Sequence, residues 1–360
     1  MISIYSFYNN KGGVGKTTLC QNAAALYAQN NPNTQVLVLD LCPQANVSQF
    51  LLGGGEKGYK ENQKLQQTMS RTNIVGFLEW MLRGNSGFTS LQKNNFAIQV
   101  SKHNQYIPDN VYLIAGDSFL ESLSLALNYS VLNPANLNAW TESMSAIKRL
   151  CELQFQKTKD QYKKMTVFID CNPSFSIYTQ MALASSDYLI VPMMADYSSL
   201  EGIKSLLMLL YGKYPSSALK KYADNILTFN RQIEKDNLSL PTLFEFVFNN
   251  YTINSGVATA FDSVKEELVK FCYDQYNKFP NLFTSPTNNI NSSSDWEELY
   301  LSKVKDFHSA GKVSASLGIP MHELPNRTNY IMPDGEKVNL PKKNYQESLI
   351  HIQQFVKELI

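Results

Sequence analysis

The chain has 360 residues, with 32 basic against 31 acidic side chains and 44% hydrophobic residues. That is enough apolar material for one large α/β domain with insertions, and the even charge gives no compositional support for binding a polyanion. No apolar run is long enough to span a membrane, nothing resembles a signal peptide, and no cysteines are spaced C-x-x-C, so a membrane protein, a disulfide framework and a zinc site are all disfavoured.

Ile2-Ser3-Ile4-Tyr5-Ser6-Phe7 is apolar and aromatic, as a short buried strand should be. Lys11-Gly12-Gly13-Val14-Gly15-Lys16-Thr17-Thr18 follows. From Thr18 to about Gln29, Leu19, Ala23 and Leu26 fall at helical spacing. Strand, glycine-rich turn and helix is the context a phosphate-binding loop requires. The backbone from Gly12 through Val14 and Gly15 to Thr18 can crowd N–H groups around phosphate oxygens, and the helix N-terminus adds partial positive charge. Lys16 supplies a point charge to the β- and γ-phosphates, and Thr17 is placed to ligate Mg²⁺.

The run Val36 to Leu39 reads as a buried parallel strand delivering Asp40 to its carboxyl end. Gly53-Gly54-Gly55 then opens a polar stretch to about Asn73, expected as an exposed loop. Ile74–Arg83 has helical periodicity, Asn110 to Asp117 carries a strand, and Phe119–Leu127 and Trp140–Phe155 read as two helices. Val167-Phe168-Ile169-Asp170 is a second strand ending in a carboxylate. Residues 196–235 look mainly helical, Phe244–Phe248 is a strand ending at Asn249-Asn250, and 260–280 suggests another helix. Polar insertions are expected near 53–73, 281–295 and 324–343, the last a hairpin turning at Pro333-Asp334-Gly335. Tyr345–Ile360 reads as an amphipathic terminal helix (345–360) packed on its own domain. Cys20, Cys42, Cys151, Cys171 and Cys272 fit a reducing cytoplasm, and the four dispersed histidines are assigned to packing or surface.

The form Lys-Gly-Gly-x-Gly-Lys-Thr-Thr, with Asn10 where the ordinary Walker A pattern has glycine, resembles the deviant Walker family. Its members include ParA and MinD partition ATPases, nitrogenase iron protein and ArsA-type pumps. Asp40-Leu41-Cys42-Pro43-Gln44-Ala45-Asn46 resembles the ParA segment D-x-D-P-Q-G-N. Val167 to Ser174 resembles the Walker B strand and its switch segment, and Ala184 to Gly202 is close to the ParA consensus. The likeness covers roughly residues 1–210 and is nearest to ParA proteins without an N-terminal DNA-binding domain, since the first strand begins at Ile2. It implies a mostly parallel twisted sheet flanked by helices, a single domain over 1–360, and ATP with Mg²⁺ as ligands. By the same resemblance Lys11 reaches the nucleotide of the facing subunit in an ATP-dependent homodimer. Asp40 and Asp170 hold the Mg²⁺ water shell together with the Thr17 ligand. Asn249, with Asn250 next, recognises the adenine edge, and Gly318-Ile319-Pro320 is a late strand-to-loop element near the base. The family also implies a ParB-like stimulating partner and non-specific DNA binding, for which Lys220, Lys221, Arg231, Lys235, Lys342 and Lys343 are candidates. No membrane partner is expected.

Two residues depart from the family pattern. Cys42 stands where the family has the aspartate that orients the attacking water, and a thiol holds no fixed charge near neutral pH. Asn172 replaces a common proline. The expected function is therefore a ParA-like switch with slow, partner-stimulated hydrolysis, acting in DNA partition or cargo positioning. The alternatives are a nucleotide-dependent interaction protein with little or no hydrolysis, serving polysaccharide secretion or a mobile-element defence module, and an Fe–S electron-transfer ATPase.

Overall fold

A computed structural model describes residues 1–67, 71–83, 94–133, 135–251, 258–286 and 288–359. Strands form where leucine and β-branched residues run without interruption. All eight residues of β2 (Thr34–Leu41) are buried, as are all but the first of β5 (Lys164–Cys171). Burial on both faces is what a central parallel strand requires. With β1 (Ile2–Phe7), β3 (Ile98–Gln99), β4 (Val111–Ile114), β6 (Tyr188–Met193), β7 (Thr242–Tyr251) and β8 (Leu301–Lys305), they make a sheet in the order β3-β4-β2-β5-β1-β6-β7-β8. Only β3 is antiparallel to its neighbour; every other pairing is parallel. The mostly parallel sheet flanked by helices is the expected architecture.

Alternate strand residues feed two apolar layers. Ile4, Leu37, Leu39, Val167 and Ile169 enter one, and Tyr5, Phe7, Val36, Val38 and Phe168 the other. The register sets Asp40 beside Asp170, and Phe7 beside Asp170 from the other side. Two carboxylates and the end of β1 thus meet at one carboxyl edge, where ligands bind in such sheets. The helix after β1, α1 (Lys16–Asn30), is buried around most of its circumference rather than on one stripe. Helices Asn46–Leu51 and Gln346–Glu358 cover the sides that the sheet does not. The terminal helix buries Ile352, Phe355 and Val356 in the second of these layers and Leu349 besides, so its apolar face is spent on its own domain. Ile360 lies outside the described residues.

Three sequence expectations need correction. The stretch near 53–73 is largely a helix, Gly55–Gln66, with only Gly58 and Asn62 buried, which is why no apolar period announced it. Residues 68–70 lie outside the described residues. The helix starts because Gly53, Gly54 and Gly55 all take positive φ, and a Cβ on Gly54 would stand 2.2 Å from the Gly318 nitrogen. Second, Gly318 ends helix His308–Leu317 in the left-handed conformation, so Gly318-Ile319-Pro320 is a helix-to-loop element. Third, Trp140–Phe155 is two helices, Ala139–Met144 and Ala146–Thr158, parted at Ser145. The region near 281–295 is mainly irregular up to helix Ser293–Tyr300, Thr287 being outside the described residues. The 324–343 segment holds the expected hairpin, Asn329–Ile331 with Lys337–Asn339.

Another buried acid lies level with Asp170, three strands across the sheet. Glu245 of β7 is 4% exposed, accepts a hydrogen bond from Ser302 on one oxygen and has no partner on the other. Burial pushes its pKa up to about 8. A raised folded pKa means that the neutral acid favours the fold fully below the unfolded value near 4.5, and that this advantage is lost as pH rises to about 8. Glu245→Gln should therefore match the parent in thermal unfolding at about pH 4.5 and be more stable by roughly 1–3 kcal/mol at about pH 8. Equal stability of the two proteins across that window contradicts the assignment.

Candidate functional site

The loop between β1 and α1 is shaped by two left-handed glycines, Gly13 at φ 74° and Gly15 at φ 86°. No side chain caps α1, so its first N–H groups remain available to an anion. A Cβ built on Gly12 or Gly13 would meet nothing within 4 Å, which marks the open side of the cradle. Gly15 faces inward: its Cβ would fall 1.8 Å from the Asn249 amide nitrogen. Lys16 is 7% exposed, and its ammonium bonds the carbonyls of Lys11 at 2.8 Å and Asn9 at 3.2 Å. Burial lowers its pKa and the Asp170 charge opposes that shift.

Beneath the loop, the Thr17 hydroxyl donates to Asp170 Oδ2 at 2.8 Å, while the buried Asp170 Oδ1 has no partner. Asp40 is fully satisfied. Its Oδ1 accepts from the Cys42 N–H at 3.0 Å, and its Oδ2 from the Ser48 N–H at 2.9 Å and hydroxyl at 2.7 Å. Burial raises the pKa of both aspartates, and Asp40 adds to the rise at Asp170. A divalent cation is the natural counter-charge for that corner. Among the described residues no three His, Cys, Asp or Glu side chains converge as a protein-only metal cage. A Thr17–Asp170 pair next to a phosphate cradle fits Mg²⁺, which takes one or two protein ligands and completes its shell with phosphates and water. Asp40 acts here mainly as the anchor of the 42–48 segment.

Cys42 sits at the rim of this corner, 9% exposed, its thiol pushed up to about 12 by burial and then by Asp40 and Asp170. It is a neutral group at physiological pH. Lys11 does not project freely: its ammonium pairs with Asp196 Oδ2 at 2.5 Å within the same subunit. Burial works to raise the Asp196 pKa, but the Lys11 bond, the Ser199 N–H and the Ser198 and Ser199 hydroxyls hold it below the usual carboxylate range. Asn9 ties the same region together, accepting from the Lys11 N–H at 3.0 Å and donating to the Pro192 carbonyl at 2.8 Å.

Asn249 donates to the Val14 carbonyl at 3.2 Å and leaves its own amide oxygen buried without a partner. It thus braces the loop in this structure; the Asn250 side chain lies outside the described residues. Pro320 is buried, and next to it the Met321 N–H bonds Asn22, whose amide reaches Thr18 at 2.8 Å. This brings 320–321 to the first turns of α1. All five cysteines are free and buried, so none faces outward as a cluster shared between subunits would require. The candidate basic residues spread over helix Ser217–Ala223, helix Phe229–Lys235 and the turn Lys342–Asn344, and Arg231 is already paired with Asp224. Asp196, Asn9 and Ser48 were not legible as site residues. Asp196 and Asn9 reach partners in distant motifs, Ser48 serves Asp40 eight residues upstream, and only the Asp196-x-x-Ser199 helix-cap spacing gave a local signal.

Residues 2–213 match the AAA_31 family, described as an AAA domain. An uncharacterized protein of Pseudomonas putida is 29% identical over 207 residues, 57% of this chain and 61% of that protein. The sporulation initiation inhibitor protein Soj of Bacillus subtilis is 25% identical over 207 residues, 58% of this chain and 64% of Soj. The match therefore spans only 61% to 64% of the length of these relatives. The structure of pNOB8 ParA shares the fold, with TM-score 0.60 at 14% identity over 99% of this chain and 97% of that one. No helix among the described residues is long and apolar enough to cross a membrane. Sheet order, phosphate loop and family match converge on one assignment: the chain belongs to the AAA_31 family and is of the ParA/MinD type of P-loop ATPase.

Proposed function

We propose that this protein is an ATP-dependent switch that pairs two subunits around bound nucleotide and hydrolyses it slowly, under the control of a partner that positions DNA or another cargo. The observation that carries the reading is the Thr17–Asp170 pair, with one unpartnered carboxylate oxygen, beneath an uncapped helix N-terminus and beside the buried Lys16. Phosphoryl transfer depends mostly on positioning and charge stabilisation. Loop N–H groups and Lys16 hold the β- and γ-phosphates, Thr17 and Asp170 hold Mg²⁺, and Asp40 fixes the segment that carries Cys42. Bound Mg²⁺ supplies charge neutralisation across the phosphates.

Hydrolysis is the weak function in this arrangement. A neutral thiol at position 42 neither orients nor deprotonates a water as a carboxylate does, so the ATP state lasts. Cys42→Asp should raise basal phosphate release by roughly tenfold or more, with Cys42→Ser remaining slow. Equal or lower release from Cys42→Asp contradicts this role for position 42. The same neutral thiol favours the second reading, a nucleotide-dependent interaction protein that hydrolyses little or nothing; phosphate release at the level of Lys16→Ala would select it.

Pairing of subunits requires Lys11 to leave Asp196 for the facing nucleotide. Light scattering with ATP and Mg²⁺ should show a dimer for the parent and a monomer for Lys11→Ala. Asp196→Ala, which frees Lys11, should dimerise at a several-fold lower ATP concentration. A parent that binds ATP yet stays monomeric refutes the sandwich dimer.

A further inference from the structure

The two departures from the family pattern are neighbours in the fold. Leu41 of β2 pairs with Cys171 of β5, and the next residues along the two strands are Cys42 and Asn172. Asn172 spends both ends of its amide. Its Oδ1 accepts from the Ser174 N–H at 3.3 Å, and its Nδ2 donates to the Tyr178 hydroxyl at 2.9 Å. That hydroxyl donates in turn to Glu121 Oε1 at 3.1 Å. The last member fixes the direction of the series: a carboxylate only accepts, so the single tyrosine proton goes to Glu121 and Asn172 is the donor to Tyr178. Burial raises the Tyr178 pKa, which keeps that proton in place.

Both far members of the relay stand on packed elements. Tyr178 is buried in the first turn of helix Ile177–Ser185, and Glu121 lies in the first turn of helix Leu120–Val131. The two helices share one apolar layer, through Met181 and Ala182 on one and Leu120, Leu123 and Leu127 on the other. Asp117 pins the start of the second helix, accepting from the Phe119 N–H at 2.9 Å, Asn73 at 2.7 Å and Arg71 at 2.5 Å. The stretch between β5 and helix Ile177–Ser185 is short, irregular and partly exposed, so the relay positions it and not the reverse. Helix Leu120–Val131 follows β4, and in the sheet order β4-β2-β5 the strand that ends at Cys42 lies between the two anchors.

We propose that Asn172 is a positioning residue for hydrolysis: tied through Tyr178 to Glu121, it holds the segment after Asp170 in place beside the corner that Asp170 and Cys42 border. A proline at position 172, as in the resembled pattern, would fix φ there and offer neither amide group. Here the restraint is a series of hydrogen bonds, and it acts two residues from the Asp170 carboxylate. Phosphoryl transfer depends mostly on positioning, and a displacement of about 1 Å costs up to about a hundredfold in rate. The effect on rate rests on the proposed ATPase reading; the ordering of the segment does not.

Steady-state phosphate release by the full chain with ATP and Mg²⁺ tests the rate. Tyr178→Phe, which deletes only the hydroxyl, and Asn172→Ala should each lower kcat about fivefold or more, with KM for ATP within about twofold and the variants folded at the assay temperature by thermal melting. The double variant should fall no further than either single one. Glu121→Ala should fall to the same level, and Glu121→Gln, which keeps an acceptor, should recover most of that loss. An unchanged kcat in Tyr178→Phe, a loss carried by KM, additive losses in the double variant, or a Glu121→Gln rate as low as that of Glu121→Ala overturns the proposal. Millisecond hydrogen exchange on the nucleotide-free chain reads the ordering separately. The amides of Ser174, Phe175 and Ser176 should exchange about threefold faster or more in Tyr178→Phe, and equal exchange overturns the relay. A parent with no phosphate release above Lys16→Ala fails the ATPase reading and removes the effect on rate with it, while faster exchange in Tyr178→Phe still supports the relay.

Discussion

Two buried carboxylates and a buried ammonium share one corner of this fold, and the rest of the architecture is organised around making that tolerable. Charges removed from water cost several kcal/mol each unless they are paired and hydrogen-bonded. Asp40 meets the condition with three donors from Cys42 and Ser48, and Lys16 with two loop carbonyls. Asp170 meets it only halfway, through Thr17, and retains one bare oxygen. That asymmetry gives the two aspartates different work. One is spent on the protein, the other keeps an oxygen without a protein partner.

The same corner dictates residue sizes around it. A Cβ at Gly116 would come within 2.8 Å of the Asp40 carboxyl carbon, and the Gly116 N–H bonds the Ser48 hydroxyl that also serves Asp40. The end of β4 is thereby fastened to the end of β2 through one serine. Gly15 is likewise small because Asn249 fills the space behind it. Ala45 is the exception, an alanine at φ 54° where the resembled pattern has glycine. Left-handed backbone costs a side chain about 1–2 kcal/mol, and that strain lies within the 42–48 segment held by Asp40.

What was legible in the sequence follows from the range of each interaction. The phosphate loop, β2 and β5 are written in contiguous residues: glycine spacing, unbroken apolar runs and a terminal aspartate. The central sheet and the family could be read from them. The helix Gly55–Gln66 could not, because it buries almost nothing and is set by a backbone contact with Gly318, over 250 residues away. Asn249 was found as a residue worth naming, yet its bond to Val14 joins positions 235 apart and has no local trace. The Lys11–Asp196 pair is hidden for the same reason. The relay was half hidden: Asn172 stood out as a departure, but Tyr178 and Glu121, 57 residues apart in sequence, meet only in the assembled fold.

On the proposed reading, binding, pairing and hydrolysis rest on separable groups. The loop with Thr17 and Asp170 would hold nucleotide and Mg²⁺ without a contribution from position 42. Lys11 is held by a carboxylate whose own pKa is depressed by that contact, so the pair is stable at neutral pH and pairing must supply a better anion than Asp196. In the proposed dimer, a triphosphate of the facing subunit would be such an anion, carrying more charge than one carboxylate. Cys42, neutral and nearly buried, contributes nothing that would shorten the paired state. On the proposed reading, the lifetime of that state passes to whatever moves the segment after Asp170, and Phe175 is where that segment meets packed aromatic neighbours on both sides.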